Sequence, residues 1–375
     1  MNIGIVCYPS FGGSGIVATE LGMALANRGH QVHFISYETP IRLDRFLDNI
    51  FFHEVEIPHY PLFEFNLYPL ALAGKIIDVI KYEKLDIIHS HYAIPHAISG
   101  ILSKDILAEK NVKLVTTLHG TDITLVGLEP AFHPLVKYSL EKSDAVTAVS
   151  EYLKSKTEQS FKADKKIDVI TNFIDPEIYK RIPCPNIRKH IAPNDEKILM
   201  HISNFRAVKR VPDTIRILAE VVKTHKVKLV LIGDGPDRSE SEKLARELGV
   251  WEHVKFLGKQ HALVELLSAA DVFLLPSQSE SFGLSALEAM ACGVPVVASN
   301  IGGIPEVVLH RETGYIAEFG DVERMAKYVR DLLDNPKKWQ AFSETGIRIA
   351  RERFDANIII KQYEDVYERV MNSEK

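Results

Sequence analysis

Cysteine is scarce in this 375-residue chain, and its three copies, Cys7, Cys184 and Cys292, are far apart. They have neither the spacing of a zinc site nor the density of a disulfide-stapled secreted domain. We therefore expect a reducing compartment, the cytoplasm. No basic segment precedes the first apolar run, so residues 2–7 are predicted to form a strand and not a signal peptide.

Long apolar runs, excess positive charge and low-complexity segments are also lacking. No run approaches the ~18 apolar residues of a membrane-spanning helix. The net charge of −5 argues against a general nucleic-acid-binding protein, so any anion site must be local. A hydrophobic content of 46% and a charged content of 25% are typical of a soluble globular protein. The length favours two domains over a single core.

Strands and helices alternate in the first half of the chain. The strand 2–7, the loop 9–15, a helix over 17–27 and a strand over 31–36 make a βαβ unit, for which a parallel sheet is the default. Helices are predicted over 70–82, 95–109 and 131–142, and strands over 86–91, 113–120 and 145–150. This half is predicted to be doubly wound α/β.

The alternation changes between 151 and 195, where four prolines and one strand, over 167–172, are found. We place the domain junction there, with the first domain over 1–165 and the second over 166–355. The second series has predicted strands over 198–203, 228–233, 254–258, 272–275 and 294–298, and helices over 211–224, 237–248 and 262–269. Both domains are therefore predicted to be Rossmann-like, and facing domains of this kind leave a ligand cleft at the carboxyl ends of their strands.

The last segment, 356–371, repeats apolar residues at helical spacing. These are Ile359, Tyr363, Val366 and Val370. The pattern predicts an amphipathic helix with one apolar stripe to bury.

The stretch 271–307 reads as strand, turn, helix, strand and Gly-Gly loop, with Glu280 and Glu288 enclosing seven residues. At 282–284 the turn becomes a helix, and a helix start can hold a diphosphate through its unpaired amides and dipole. Flanking carboxylates repel such an anion unless they face its sugar hydroxyls, so the pattern favours a nucleotide sugar. The alternative is that Glu280 caps the helix and Glu288 lies on a solvated face.

Three cations, Arg206, Lys209 and Arg210, follow the first strand of the second domain. A run of charge often forms a solvated face. At the end of a strand, however, fixed cations are placed to stabilise the negative charge on a departing phosphate. Phosphate binding is the favoured interpretation.

The segment GSGIVA at 13–18 satisfies the dinucleotide fingerprint Gly-x-Gly-x-x-Ala, and Glu38 follows about twenty residues later. This favours an NAD-dependent oxidoreductase, although such an enzyme gives no reason for the pair Glu280 and Glu288. A tight turn that needs glycine for backbone reasons alone is a further alternative.

The stretch 271–307 resembles the donor-site signature of the GT-B glycosyltransferases of the large retaining family 4, in which two glutamates enclose seven residues. The likeness covers essentially the whole chain through CYPSFGGSGIVATELG, HSHYAIPHA, TTLHGTDITLVG and ISNFRAVKR. It implies an α/β GT-B fold, with two Rossmann-like doubly wound domains facing across a cleft, the last helix packed on the first domain, and a homodimer. It also implies that Glu280 meets the transferred sugar and Glu288 the nucleotide ribose.

Further site residues follow from the resemblance. His119 stands where the family has a histidine that touches the transferred sugar. The family usually places its arginine and lysine five apart; here Arg206 is three residues from Lys209 and four from Arg210, so both pairings stay open. The predicted catalytic residues are His119, Arg206, Lys209 and Glu280. The predicted donor-binding residues are Gly13, Gly15, Arg210, Gly258, Ser281, Phe282, Gly283, Leu284 and Glu288.

No Asp-x-Asp occurs in the chain, which removes the metal-binding pair of the other major transferase fold. We expect the helix start and the cations to neutralise the diphosphate, with no metal or cofactor, and activity to survive a chelator. His89, His91 and His96 have no acidic or cysteine partners in the pattern and are not predicted to bind zinc. The family implies no carboxylate nucleophile on the far face of the sugar, and hence retention of stereochemistry.

The likeness is greatest to family members that use UDP-N-acetylglucosamine as the donor and L-malate as the acceptor. Malate is a small dianion, and its predicted binding residues in the first domain are Ser14, Tyr92, Thr121 and Lys137. An exposed helix lysine is an equal interpretation of Lys137.

Two other functions stay open. Relatives with a lipid acceptor dock on bilayers through a basic amphipathic surface, whereas the helix over 70–82 has only Lys75 and Lys81, so no stable membrane association is expected. A sugar-nucleotide-binding protein without catalysis predicts binding without turnover.

Overall fold

The computed structural model describes residues 1–10, 12–43, 46–57, 67–108 and 111–373. The chain divides into two compact units, one of Met1–Asn172 with Asn357–Lys375 and one of Phe173–Ala356. The first unit extends beyond the predicted boundary after residue 165 because the next strand, Ile167–Val169, pairs with Ala145–Ala148 in the first sheet.

The first unit contains a seven-stranded sheet in which all neighbouring strands are parallel. Its strands are β1 (Asn2–Val6), β2 (Gln31–Ser36), β3 (Ile50–Glu54), β4 (Ile87–His91), β5 (Lys113–Leu118), β6 (Ala145–Ala148) and β7 (Ile167–Val169). The spatial order β3-β2-β1-β4-β5-β6-β7 runs outwards from β1 in both directions, so the predicted doubly wound topology is confirmed. Of the seven strands of this sheet, only β3 was not predicted, because this half-exposed edge strand shows no alternation of apolar residues.

The helices of the first unit up to residue 161 are α1 (Gly13–Asn27), α2 (Tyr68–Glu83), α3 (Ile98–Leu107), α4 (His133–Lys142) and α5 (Glu151–Phe161). Short helical turns cover Ala93–Ala97, Thr121–Leu125 and Val126–Leu128. The loop predicted over 9–15 ends earlier, because α1 already begins at Gly13; residue 11 lies outside the described residues. The helix predicted over 95–109 is observed as the turn Ala93–Ala97 followed directly by α3, which ends at Leu107; residue 109 is not among the described residues.

The second unit contains a six-stranded parallel sheet in the order β10-β9-β8-β11-β12-β13. Its strands are β8 (Lys197–Ile202), β9 (Val227–Ile232), β10 (Val254–Gly258), β11 (Val272–Leu275), β12 (Val296–Ser299) and β13 (Gly314–Ala317). Its helices are α6 (Pro185–Ile191), α7 (Val211–Val221), α8 (Arg238–Glu247), α9 (Leu263–Ala269), α10 (Leu284–Ala291), α11 (Ile304–Val307), α12 (Val322–Asp334) and α13 (Pro336–Phe354), with short turns at Ala207–Lys209 and Trp251–His253. Leu229 and Leu274 from the sheet pack with Ile215 and Val329 from the helices in one buried core.

The chain ends in α14 (Ala356–Asn372), which belongs to the first unit from Asn357 onwards. The four predicted stripe residues are buried, which confirms the apolar stripe. The helix is also fixed by polar contacts: the Tyr367 hydroxyl lies 2.7 Å from Nδ1 of His89, and Arg28 pairs with Glu364 at 2.8 Å. Within the described ranges, no helix combines the length and the apolar character needed to cross a bilayer.

Candidate active site

The end of β8 is fixed by a buried histidine. The ring of His201 has Nδ1 2.9 Å from the Leu274 carbonyl oxygen and Nε2 2.8 Å from the Ser203 hydroxyl. Burial lowers the pKa of His201 to about 4, so the ring is neutral, with Nδ1–H donating to the carbonyl and Nε2 accepting from the hydroxyl. Ser203 in turn accepts from the Phe205 amide at 3.3 Å. These contacts join β8 to β11 and direct the chain into the loop that carries the predicted cations.

Lys209 and Glu280 form an ion pair at this edge of the sheet. Nζ of Lys209 lies 2.6 Å from Oε1 of Glu280, and the Ser277 hydroxyl donates to the same oxygen at 3.0 Å. The two loops are also joined through their backbones, because the Gln278 amide donates to the Val208 carbonyl at 2.7 Å. The side chains of Lys209 and Glu280 are 22% and 12% exposed, so both are partly accessible to solvent.

Glu280 does not cap α10. The cap residue of that helix is Gly283, which has no side chain and a φ of 100°. The carboxylate of Glu280 instead contacts the side chains of Lys209 and Ser277. Glu280 itself lies three residues before the cap residue. The capping interpretation of Glu280 is therefore wrong.

Arg210 forms an ion pair with Asp213 and not with Glu280. Its guanidinium donates to the buried Asp213 at 2.8 and 3.2 Å and lies over the Phe319 ring, 5.6 Å from its centroid. Arg206 is exposed and precedes the Ala207–Lys209 turn. Of the two candidates that the sequence left open, Lys209 is thus the one that faces Glu280.

Glu288 lies on α10 and is only 4% exposed. The hydroxyl of the buried Tyr179 donates to its Oε1 at 2.7 Å. The interpretation of Glu288 as a solvated surface residue is therefore wrong. Tyr179 itself was not predicted, because nothing in the sequence relates it to a helix 109 positions away.

Gly302 and Gly303 allow a close approach of two backbone segments. A Cβ at position 302 would lie 1.8 Å from the carbonyl oxygen of Glu280, and one at position 303 would lie 2.3 Å from that of Ser281. The Gly303 amide also donates to the Glu280 carbonyl at 3.0 Å. The Gly-Gly loop therefore holds the turn that carries Glu280 and leads into α10.

The other predicted donor-site residues of the second unit lie at the carboxyl end of a sheet strand or at the start of α10. Phe282 is buried, with its ring edge-on to Phe354 at 5.7 Å, and Leu284 is the first residue of α10. Gly258 ends β10 with a φ of 66°, and its carbonyl accepts from the Gly233 amide at 2.8 Å.

In the first unit, the Tyr92 hydroxyl donates to the Ser14 hydroxyl at 2.9 Å. Two predicted acceptor residues are therefore neighbours, with Ser14 in the first turn of α1 directly after Gly13. A Cβ on Gly15 would lie 2.6 Å from the carbonyl oxygens of Tyr8 and Ser10. Glycine is required at position 15 because the helix starts against the backbone that follows β1.

His119 follows β5 and its Nε2 lies 2.9 Å from Nδ1 of His91. Burial lowers the pKa of His119 to about 3 and also lowers the pKa of His91 well below its usual value. The two rings that face each other are therefore both neutral. The loop after His119 is held by the buried Asp122, which accepts from the amides of Ala93 and Gly120 at 2.9 and 3.0 Å. Burial raises the pKa of Asp122 to about 6, while these amides favour the charged form.

The remaining predicted residues of the first unit are at its surface. Thr121 is exposed and begins a helical turn. Lys137 on α4 lies 3.7 Å from Glu141, and its side chain is 41% exposed. The role of both residues in acceptor binding stays a prediction.

Two family models match the chain: Glycosyltransferase Family 4 over residues 11–178 and Glycosyl transferases group 1 over residues 185–349. The chain belongs to family 4 of the glycosyltransferases and has their GT-B fold. Among its relatives is N-acetyl-alpha-D-glucosaminyl L-malate synthase of Bacillus anthracis, which is 45% identical over 100% of this chain and 98% of its own length. D-inositol 3-phosphate glycosyltransferase 2 of Catenulispora acidiphila is 27% identical over 96% of this chain and 90% of its own.

Solved structures share the fold. Sucrose-phosphate synthase from Thermosynechococcus elongatus matches with a TM-score of 0.82 and 22% identity over 100% of both chains. The Anabaena protein HepE, solved with UDP-glucose, matches with a TM-score of 0.83 and 22% identity over 98% of this chain and 100% of its own.

Proposed function

We propose that this glycosyltransferase moves N-acetylglucosamine from UDP-N-acetylglucosamine to the hydroxyl of L-malate, the first step of bacillithiol biosynthesis. The observation that carries the proposal is the 45% identity to the Bacillus anthracis enzyme over the full length of this chain. The class of reaction has independent support from the family models of both halves.

The donor site is proposed to lie at the start of α10. The diphosphate would accept hydrogen bonds from the first amides of the helix, between residues 282 and 284. Glu280 would accept from a hydroxyl of the transferred sugar and Glu288 from the ribose. Because Tyr179 donates to Glu288 at 2.7 Å, the carboxylate is held in one orientation.

Lys209 is proposed to stabilise the leaving UDP. An ammonium group has three donors, so Lys209 can keep its contact with Glu280 and still donate to a phosphate oxygen. As the bond between the sugar and the phosphate breaks, negative charge grows on the phosphate, and a fixed cation there lowers the barrier. Arg206 would supply the second positive charge.

We propose a retaining, metal-independent mechanism. The malate hydroxyl would attack from the side of the leaving group, and the departing phosphate oxygen would take its proton. The neutral His119 would contact the transferred sugar. Ser14 would donate its hydroxyl proton to a malate carboxylate, and Tyr92, which donates to Ser14, would orient that hydroxyl. A homodimer in the cytoplasm is part of the same proposal.

The test is the release of UDP by the purified protein from UDP-N-acetylglucosamine, with and without L-malate and with and without EDTA. We expect malate-dependent release that EDTA does not abolish, and a product anomer that NMR identifies as retained. UDP release with a lipid acceptor but not with malate would change the acceptor. Nucleotide binding without turnover, or reduction of NAD by a hydroxy acid, would contradict the proposed reaction.

A further inference from the structure

Three potential metal ligands meet at the edge of the first sheet. In the part of the chain that the structure describes, His33, His53 and Glu83 are the one group of three whose ligand atoms lie together, all within 4.8 Å of one another. Nδ1 of His33 and Nε2 of His53 are 3.0 Å apart. None of these residues belongs to the candidate active site.

The fold brings the three residues together from separate elements. In the β2–β3 ladder, His33 is opposite Phe51 and Ile35 is opposite His53, so both histidines project from the same face. Ile35 on that face packs in the core with residues of α2, and Glu83 is the last residue of this helix. The end of α2 therefore places a carboxylate beside the two rings.

The surroundings of the two rings favour the neutral form of imidazole. His33 is 2% exposed and stacks on Phe51 at 4.8 Å. Burial lowers the pKa of His33 to about 4 and also lowers the pKa of His53. Neutral imidazole is the form that binds metals. Zinc bound to Nδ1 of His33 and Nε2 of His53 would replace the hydrogen bond between these two nitrogens, and the ring that donates it would carry its proton on its other nitrogen.

We propose that His33, His53 and Glu83 bind one Zn²⁺ ion, with one ring nitrogen from each histidine, one carboxylate oxygen and water as the fourth ligand. Zinc–ligand distances of about 2.0–2.1 Å place tetrahedral ligands roughly 3.3 Å apart. The two nitrogens, 3.0 Å apart, already lie near this separation, whereas the carboxylate oxygen, within 4.8 Å of them, would move closer on binding the ion. The ion would fasten the edge strand β3 to the end of α2, a structural role that is independent of the proposed sugar transfer.

The test measures zinc in the full-length protein. The protein is treated with EDTA, dialysed against micromolar ZnCl₂ and then against metal-free buffer, and analysed by mass spectrometry for zinc per chain. We expect one equivalent for the wild type, its loss in His53→Gln, and at least a tenfold weaker affinity in Glu83→Gln. His53 lies on an edge strand, so the substitution leaves the core residue His33 in place.

Two matched variants test whether zinc binds at another histidine or at a cysteine. His225→Gln removes a histidine that pairs with a carboxylate, Asp334, in the second unit, and Cys184→Ser removes the partly exposed thiol; both should retain one zinc. Co²⁺ in place of zinc should give visible absorption without a near-ultraviolet thiolate band. Zinc should raise the unfolding temperature of the wild type and not that of His53→Gln.

The proposal is overturned by any of three results. These are no zinc retained by the wild type, the same zinc content in His53→Gln, and a thiolate charge-transfer band that Cys184→Ser abolishes. In circular dichroism, His53→Gln must keep the wild-type spectrum; if it does not, Glu83→Gln provides the same comparison at the helix end.

Discussion

The hydroxyl of Tyr179 donates a 2.7 Å hydrogen bond to Oε1 of Glu288, and both residues are buried in the second unit. A buried carboxylate needs donors to offset its lost hydration. Tyr179 therefore acts as a positioning residue for the carboxylate that we propose to bind the nucleotide ribose.

Replacing Tyr179 by Phe removes that donor and little volume. We expect the free energy of unfolding to fall by about 1–3 kcal/mol. The KM for UDP-N-acetylglucosamine should rise several-fold with a smaller change in kcat, because the ribose does not react. Urea denaturation and steady-state kinetics measure both, and Tyr82→Phe, at a tyrosine 78% exposed on α2, is the control. Unchanged stability and KM would contradict the positioning role.

Replacing Glu280 by Gln should impair turnover far more than folding. The amide keeps an oxygen for Ser277 but loses the charge that we propose faces the sugar, so we expect kcat to fall by about 10²-fold or more. The free energy of unfolding should change by no more than about 1 kcal/mol. UDP release and urea denaturation are the measurements. The control is Glu247→Gln, which breaks a Lys243–Glu247 pair on the surface. A loss of stability with an unchanged rate of UDP release would contradict the catalytic role of Glu280.

Lys209→Met and Arg210→Met separate the two candidate cations. Lys209 faces Glu280, so its loss should reduce kcat/KM by about 10²-fold. Arg210 is bound to Asp213, so its loss should lower stability by about 1 kcal/mol and change the rate much less. Kinetics and thermal unfolding of both variants decide the assignment. The reverse order of rates would assign the phosphate contact to Arg210.

Gly302→Ala and Gly320→Ala separate close contact from backbone strain. Both glycines have positive φ, 56° and 80°, so both substitutions carry a strain of roughly 1–2 kcal/mol. Only at position 302 would the new Cβ meet the Glu280 carbonyl, at 1.8 Å, whereas position 320 has nothing within 4 Å. Gly302→Ala should therefore lose much more stability and activity than Gly320→Ala. Equal effects in denaturation and UDP-release assays would show that strain alone matters.

Stability should decrease as the pH falls from about 6.5 to about 4, in part because of His201. Its pKa is about 4 in the folded protein and ordinarily 6.5, so in this window the unfolded chain binds a proton that the folded chain does not. One such histidine contributes at most about 1.4 kcal/mol per pH unit. His201→Gln should make the pH dependence of urea unfolding shallower than that of the wild type. An unchanged slope would contradict the assignment.

Much of the fold was predictable because apolar runs and turns are local signals. The run Val272–Leu275 was predicted with the bounds that β11 has, and the stripe of Ile359, Tyr363, Val366 and Val370 marked α14. The edge strand β3 was not predicted because a half-exposed strand shows no clear alternation of apolar and polar residues. The predicted domain boundary fell too early because pairing of β7 with β6 is a tertiary event.

The site was predictable only in part. Spacing singled out Glu280 and Glu288, but it left the choice between Lys209 and Arg210 open. The structure decides which of the two faces Glu280, because Asp213 holds Arg210 while Lys209 reaches the carboxylate. Tyr179, His201 and the cluster of His33, His53 and Glu83 had no signal in the sequence at all.

The sequence by itself determined the alternation of strands and helices, the family and the two glutamates, because periodicity, turn residues and motif spacing are written in consecutive positions. Tertiary structure alone decided which donor orients Glu288, which cation meets Glu280 and which histidines share a potential metal site. Those contacts join residues that are tens of positions apart, and only the packing of separate strands and helices brings their side-chain atoms within 3 Å.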